Sequence, residues 1–327
     1  MMSTQRLDYF DWMKGITIVL VVMGHVMTFV FGITEADIHK LGMLRMPIFF
    51  YISGYFAGKV INETRALREQ LWKKTRGLLI PYFVFLGLWA IFRKRSFAEL
   101  FLTGGDGYWF LWVLWLLSIF FIIYGYLTRN VRSVWIYIIL WLIPYAAIII
   151  CNKHFPSDNP QLGWIALPLI TSYYRYYLLG YLCRKINVIN NVLFNNIWVG
   201  ALAFVCFLAK WLFYDYHSVL LSFAGTLGAI IVIQRLLMSF SGKHNKTLSL
   251  FSFLGNKTMV IYVLHYFFLP NLSSYGHYLM GGDNVFIVHF TVALLVSIPI
   301  VLASVLLGRL IESNNILSVV MLGKIKQ

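Results

Sequence analysis

The sequence predicts an all-α, polytopic integral membrane protein: one transmembrane domain over residues 1–327, a bundle of about ten helices with both termini cytoplasmic. Three observations predict it. Hydrophobic residues make up 60% of the chain and charged residues only 12%, against about a quarter charged in a soluble domain. Mean hydropathy is +0.75. Lys and Arg, 27 against 12 Asp and Glu, gather on one side of the successive apolar runs. The composition excludes a soluble globular enzyme, a disordered chain and a disulfide-stapled secreted module.

The apolar runs give spans at 10–31, 43–60, 78–92, 109–127, 134–151, 164–183, 193–212, 218–240, 248–270 and 285–311. The first has no small-residue cleavage site, so it is expected to be a retained helix and not a signal peptide. In the second, Pro47 and Ser53-Gly54 predict a broken or kinked helix. The third is short. It follows the long polar segment 62–77, NETRALREQLWKKTRG, which fits a basic amphipathic helix on the inner leaflet with Leu67, Leu71 and Trp72 as apolar contacts. That segment reads either as a solvated topology signal or as an attractor of a phosphorylated cytoplasmic ligand. The remaining spans are joined by short loops, and no appended soluble domain is expected.

Ten spans put both termini on one side. With them fall Arg6, Arg65, Arg68, Lys73, Lys74, Arg76, Arg129, Arg132, Arg184, Lys185, Arg235, Lys243, Lys246, Arg309, Lys324 and Lys326. Lys40, Arg93, Lys94, Arg95 and Lys153 fall opposite, with the acids Glu35, Asp37, Glu99, Asp106, Asp158, Asp215 and Asp283. Lys/Arg bias sets orientation, so the first group is expected in the cytoplasm. The misfit is Arg93–Arg95: either the third span is misdrawn or the cluster meets an external anion. This bias also accounts for the net charge of +15, so no nucleic-acid partner is expected. Cys151, Cys183 and Cys206 have no CxxC spacing and read as reduced packing residues.

Polar side chains inside the bilayer are costly and usually mark a site. Lys14 and His25 are eleven positions apart, about 20° apart in direction and about 16 Å apart in depth on a helix. Asp11 and Thr28 extend the same stripe. Asp11 and Lys14 alone could be an ion pair that snorkels to the interface, and His25 alone a packing residue, with Gly24 allowing close helix approach. The ninth span repeats the pattern: Thr258, Tyr262 and His265 share one face, and Lys257 lies at the depth of Lys14. If both helices run inside to outside, His25 and His265 share a level, which favours a site over packing. Arg45 and Ser53 in the second span and Arg175 in the sixth are further intramembrane polar groups. Arg175, among four tyrosines, reads equally as a cation–π anchor and as an anion contact. No cluster reads as a metal site and no permanently bound cofactor is expected.

In order along the chain stand DWMKGITIVLVVMGH (Asp11 to His25), MPIFFYISGY, KKTRGLLIPY, WFLWVLW, YYLLGYL and LGNKTMVIYVLH (Leu254 to His265). Together they resemble membrane-bound acyltransferase family 3, whose members transfer acyl groups, usually acetyl, to sugars of cell-surface glycans. The resemblance covers most of the chain. Lys14 stands where arginine is frequent in the family, and an ammonium is not equivalent to a guanidinium fork at phosphate. The resemblance implies a bacterial inner-membrane O-acyltransferase. Acyl-CoA, most often acetyl-CoA, would be the cytoplasmic donor, and a hydroxyl of an extracytoplasmic or lipid-linked sugar or polysaccharide the acceptor.

The roles expected on that basis are these. His25 is the general base, or the nucleophile that carries the acyl group. Asp11 orients Lys14. Lys14 and Arg76, with Lys73 and Lys74, meet CoA phosphates. Tyr262 and His265 position the acceptor or stabilise the oxyanion. Arg45, Ser53, Thr258 and Arg175 line the acceptor pocket. A succinyl or other acyl donor fits the residues as well, and a homo-oligomer is left open. The competing reading is a secondary transporter or flippase for a glycan or anionic solute, whose proton relay would use the same residues. No inverted repeat or matched pair of broken helices supports it.

Overall fold

The computed structural model describes residues 7–32, 41–59, 61, 63–156, 159–214, 216, 218–242, 246–272 and 285–324, and among them the chain is helical with no strand. Of the charges that set the expected topology, Arg6, Glu35, Asp37, Lys40, Asp158, Asp215, Lys243, Asp283 and Lys326 lie outside the described residues.

Helix α1 (Asp8–His25) runs into a π-helical turn, Val26–Val30. It is followed by α2 (Met46–Ala57), α3 (Thr64–Arg93), α4 (Phe97–Leu102), α5 (Trp109–Leu127) and α6 (Val134–Lys153). Next come α7 (Leu167–Lys185), α8 (Asn187–Asn195), α9 (Ile197–Leu212) and α10 (Val219–Met238). The last are α11 (Lys246–Asn256), α12 (Thr258–Leu264, continued by a 3-10 turn at His265–Phe268), α13 (Val285–Ser313) and α14 (Asn315–Leu322). Side-chain caps explain several starts. Asn196 Oδ1 accepts from the Trp198 and Val199 amides, Ser218 Oγ from Leu221, and Asn314 Oδ1 from Ile316 and Leu317.

Among the described residues six helices are long and apolar enough to cross a membrane, and up to eight if each of two bent pairs counts as one span. The pairs are α8 with α9, bent by 69°, and α11 with α12 and its 3-10 turn, bent by 63°. The surface fits a lipid solvent. In the most apolar window of α6 only 11% of residues are buried, an apolar surface that would drive association in water. The chain is therefore a multi-pass helical membrane protein.

Four expectations change. The predicted span 43–60 becomes α2, a helix of 12 residues. It is about 18 Å long, short of the ~30 Å hydrocarbon core. It is not broken at Ser53-Gly54: Pro47 sits in the first turn, where its missing N–H costs nothing, and Gly54 lets the Tyr177 backbone approach. The span 164–183 forms α7, whose tyrosines and Arg175 keep it outside the strongly apolar set. The segment 62–77 is no separate surface helix. Asn62 lies outside the described residues, and residues 64–77 are the first half of α3, an unbroken helix of 30 residues, about 45 Å long, so its basic half extends past what the hydrocarbon needs. At the Arg93–Arg95 cluster the third span proves misdrawn at its start and not at its end: α3 ends with Lys94 in the left-handed region (φ 53°), Arg95 pairs with Glu99 at 2.6 Å, and the Arg93 guanidinium lies 5.3 Å from the Trp89 ring centroid.

The chain divides into two compact units, residues 1–49 with 190–309, and residues 50–189 with 310–327. The first is built on α1 against α11, with α10 beside α1 and α9 against α10. Small residues set the α1–α11 seam: a Cβ on Gly15 would meet the Phe251 backbone, and one on Gly255 the Asp11 backbone. At the α8–α9 break Arg235 donates to the Asn196 and Leu193 carbonyls at 2.7 and 3.3 Å, satisfying groups the broken ladder leaves open.

The second unit packs α3 on α5, α6 on α7 and α14 on α3. Its centre is aromatic. Phe121 stacks on Trp141 at 4.6 Å between centroids, Tyr174 donates to the Trp141 carbonyl at 3.0 Å, Tyr177 to Ser118 Oγ at 3.1 Å, and the Tyr137 and Tyr181 hydroxyls meet at 2.9 Å. Tyr174, Tyr177 and Tyr181 of α7 are thus core residues whose hydroxyls find partners, as burial of phenols requires.

Candidate active site

The first unit brings together two histidines from opposite ends of the sequence. α1 carries Asp11, Lys14 and His25 on one continuous helix, as the stripe predicts. Asp11 and Lys14 form an ion pair at 2.6 Å beneath the α11 seam. His25 is the last residue of α1. The π-helical turn that follows inserts an extra residue into the ladder, a feature frequent at functional positions. There Thr28 donates back to the Gly24 carbonyl at 2.9 Å.

The bend between α11 and α12 supplies the other wall. Gly255 and Asn256 are poor helix formers, and the Thr258 hydroxyl turns back to the Gly255 carbonyl at 2.7 Å. α12 then leads to His265, fully buried (0% exposed), and Tyr266 (5%). The His25 and His265 ring centroids are 5.1 Å apart, and Tyr266 lies 4.9 Å from His25 and 4.2 Å from His265. Phe29 stacks on the other side of His25 at 5.5 Å.

Hydrogen bonds distinguish the two imidazoles. His265 Nδ1 lies 3.0 Å from the Ile261 carbonyl. A carbonyl only accepts, so Nδ1 carries the proton and Nε2 of the neutral ring is a lone-pair site. That Nε2 is buried with no hydrogen-bond partner among the described residues, a polar atom of the kind that marks a ligand position. His25 Nε2 lies 3.0 Å from the Tyr266 hydroxyl.

Of the other expected residues, Tyr262 is buried with its ring 6.1 Å from His265. Arg45 is in the turn just before α2 and not within a span, and its guanidinium occupies the space a Cβ on Gly24 would need. Gly24 therefore makes room for Arg45 next to His25. Thr258 serves the helix break. Lys14 is about 16 Å from His25 along α1.

The rest belong to the second unit. Lys73 and Lys74 line a groove of about 610 Å³ with Lys59, Glu69, Gln70 and Ile61, while Leu67, Leu71 and Trp72 gather along another face of α3. Arg76 Nε is buried without a hydrogen-bond partner among the described residues. Ser53 is half-buried in α2. Arg175 donates to the Ser172 carbonyl at 3.1 Å and lies 5.1 Å from the Tyr176 ring centroid. Among the described residues no three His, Cys, Asp or Glu side chains group as a metal set. Sequence reasoning missed Tyr266 and Phe29. The only signal for Tyr266 was its place next to His265 in a His-Tyr-Phe-Phe run.

A helical membrane protein in which a half-buried histidine at the end of the first helix meets a fully buried one after a late bent helix is the class this geometry defines. Residues 7–307 match the acyltransferase domain family, and the chain belongs to that family, acyltransferase family 3. Its relatives include the nodulation protein NolL of Mesorhizobium japonicum, 27% identical over 308 residues and covering 82% of this chain and 78% of that protein. The NolL protein of Sinorhizobium fredii is 26% identical over 189 residues, 53% of this chain and 47% of that protein. No solved structure matches the chain.

Proposed function

We propose that this membrane acyltransferase moves an acetyl group from cytoplasmic acyl-CoA to a hydroxyl of an extracytoplasmic or lipid-linked sugar, with His25 as general base. The observation that carries the reading is the His25–His265 pair beside Tyr266 and Arg45, with an unpartnered imidazole nitrogen facing inward. The step balances simply. His25 takes the acceptor's hydroxyl proton as the oxygen forms its bond to the thioester carbonyl carbon. The tetrahedral intermediate then expels the CoA thiolate, which recovers that proton, leaving ester, free CoA and neutral imidazole. Arg45 and Tyr262 are assigned to the developing oxyanion, where fixed donors in a dry site act most strongly, and His265, whose Nε2 carries a lone pair, to accepting a hydrogen bond from the sugar.

The lysine groove on α3 suits phosphates of CoA, and Lys14, held by Asp11, offers the same chemistry at the start of α1. Lys73→Ala combined with Lys74→Ala is expected to raise KM for acetyl-CoA about tenfold with kcat little changed, the signature of lost uniform binding. An unchanged KM removes the groove from donor binding. Lys14→Ala is tested the same way, by acetyl-CoA affinity. The ten-span reading with cytoplasmic termini rests on the Lys/Arg bias and the bacterial inner membrane on the family; labelling single cysteines from each side checks the termini and counts the spans.

The experiment that tests the function is mass spectrometry of surface glycans from cells with and without the gene, alongside thiol release from acetyl-CoA in purified protein. Loss of an O-acetyl mass with the gene, and CoA release, are expected. Unaltered glycans and no thioester cleavage would sink the reading.

A further inference from the structure

We infer that Tyr266 is a positioning residue that binds His25 through Nε2 and leaves Nδ1 as the nitrogen that takes the acceptor's proton. The inference rests on the general-base reading of His25 and names a residue and an atom within it. Nε2 is occupied, 3.0 Å from the Tyr266 hydroxyl. Nδ1 has no hydrogen-bond partner among the described residues. Exposure points the same way: Tyr266, which meets Nε2, is buried at 5%, whereas His25 itself is only half-buried. A hydroxyl entering from outside the cluster meets the edge that Tyr266 does not cover.

The tautomer follows. A neutral imidazole has one N–H and one lone pair. For Nδ1 to accept a proton, Nε2 must carry the other, so Nε2–H donates to the Tyr266 oxygen. When Nδ1 is protonated the same bond becomes charge-assisted and shortens, which favours the imidazolium at the moment it forms. The proton then leaves from Nδ1 to the departing thiolate. Tyr266 neither gains nor loses a proton in the cycle. This is the logic by which an orienting partner fixes the reactive nitrogen of a catalytic histidine, here with a phenol as the partner. Phe29, stacked at 5.5 Å, holds the ring plane without competing for either nitrogen.

The test uses the full chain in nanodiscs, with labelled acetyl-CoA as donor and membranes from cells lacking the gene as the source of acceptor. Tyr266→Phe keeps the ring and removes the hydroxyl. It is expected to lower kcat about 10- to 100-fold, less than loss of the base itself, with KM for acetyl-CoA within about twofold. Nitrogen-15 spectra of histidine-labelled protein, with the His25 signals assigned by their loss in His25→Gln, are expected to give the Nε2–H tautomer in the parent protein and a mixture in Tyr266→Phe. Full kcat in Tyr266→Phe, or an Nδ1–H tautomer in the parent protein, overturns the assignment. The second readout needs no variant at position 266 to fold. An active His25→Ala protein would instead overturn the general-base reading, so the two failures are distinct.

Discussion

Replacing His25 with alanine lowers acyl transfer by about 10²- to 10⁴-fold, the range a positioned general base supplies, while KM for acetyl-CoA stays near its parent value. The split follows from where His25 acts. The imidazole is placed to take a proton from the acceptor as the new bond forms, an interaction made in the transition state and not with the donor in its ground state, so its loss falls on kcat. Alanine also removes the hydrogen bond between the ring and Tyr266, which costs about 0.5–1.5 kcal/mol. His25→Gln controls for this, since its amide can bond to Tyr266 but has no nitrogen basic enough to take a proton at neutral pH. Both variants should elute as the parent protein does, and both should be inactive. Transfer within tenfold of the parent by either folded variant would remove His25 as the base.

The stripe of α1 is legible in the sequence because it needs only helical periodicity. Eleven residues bring Lys14 and His25 to one face, and α1 is unbroken between them. The meeting of His25 with His265 was legible in residue type but not in geometry. Matching their depths assumes a straight ninth helix, whereas the chain bends by 63° between α11 and α12, and the bend carries His265 to His25. Tyr266 is invisible to periodicity for a related reason. Consecutive helical residues point about 100° apart, so a stripe that includes His265 excludes its neighbour, and only a ring standing between them touches both. Arg45 was counted inside a span because hydropathy averages over a window. The helix starts one residue later, and the guanidinium reaches back to Gly24. The same averaging divided α3 in two. Its polar half is rich in strong helix formers, and nothing between Gly77 and Leu78 stops the helix. It also enlarged α2, whose apolar run is longer than its helix.

Gly255→Val disrupts the platform that places His265 and Tyr266. In the first unit α1 and α11 touch through Gly15 and Gly255, and a Cβ at 255 would occupy the position of the Asp11 carbonyl group. Overpacking a core costs about 1–3 kcal/mol where side chains can repack. Here the obstacle is backbone, which has no rotamer to change, so the cost lies at the upper end or beyond. α11 must move away from α1, and α12 with the His265–Phe268 turn moves with it, lengthening the 3.0 Å contact between Tyr266 and His25 Nε2. The expected result is a large fall in the fraction of protein that elutes as a single species, a lower unfolding temperature, and transfer reduced at least tenfold in whatever folds. Gly255→Ala should show the same effects more weakly. Gly87→Ala is the control. It lies in the interior of α3 with open space where its Cβ would sit, so alanine there should be neutral or stabilising by up to about 1 kcal/mol. Parent-like melting and transfer in Gly255→Val would mean that the α1–α11 seam does not set the distance between the two histidines.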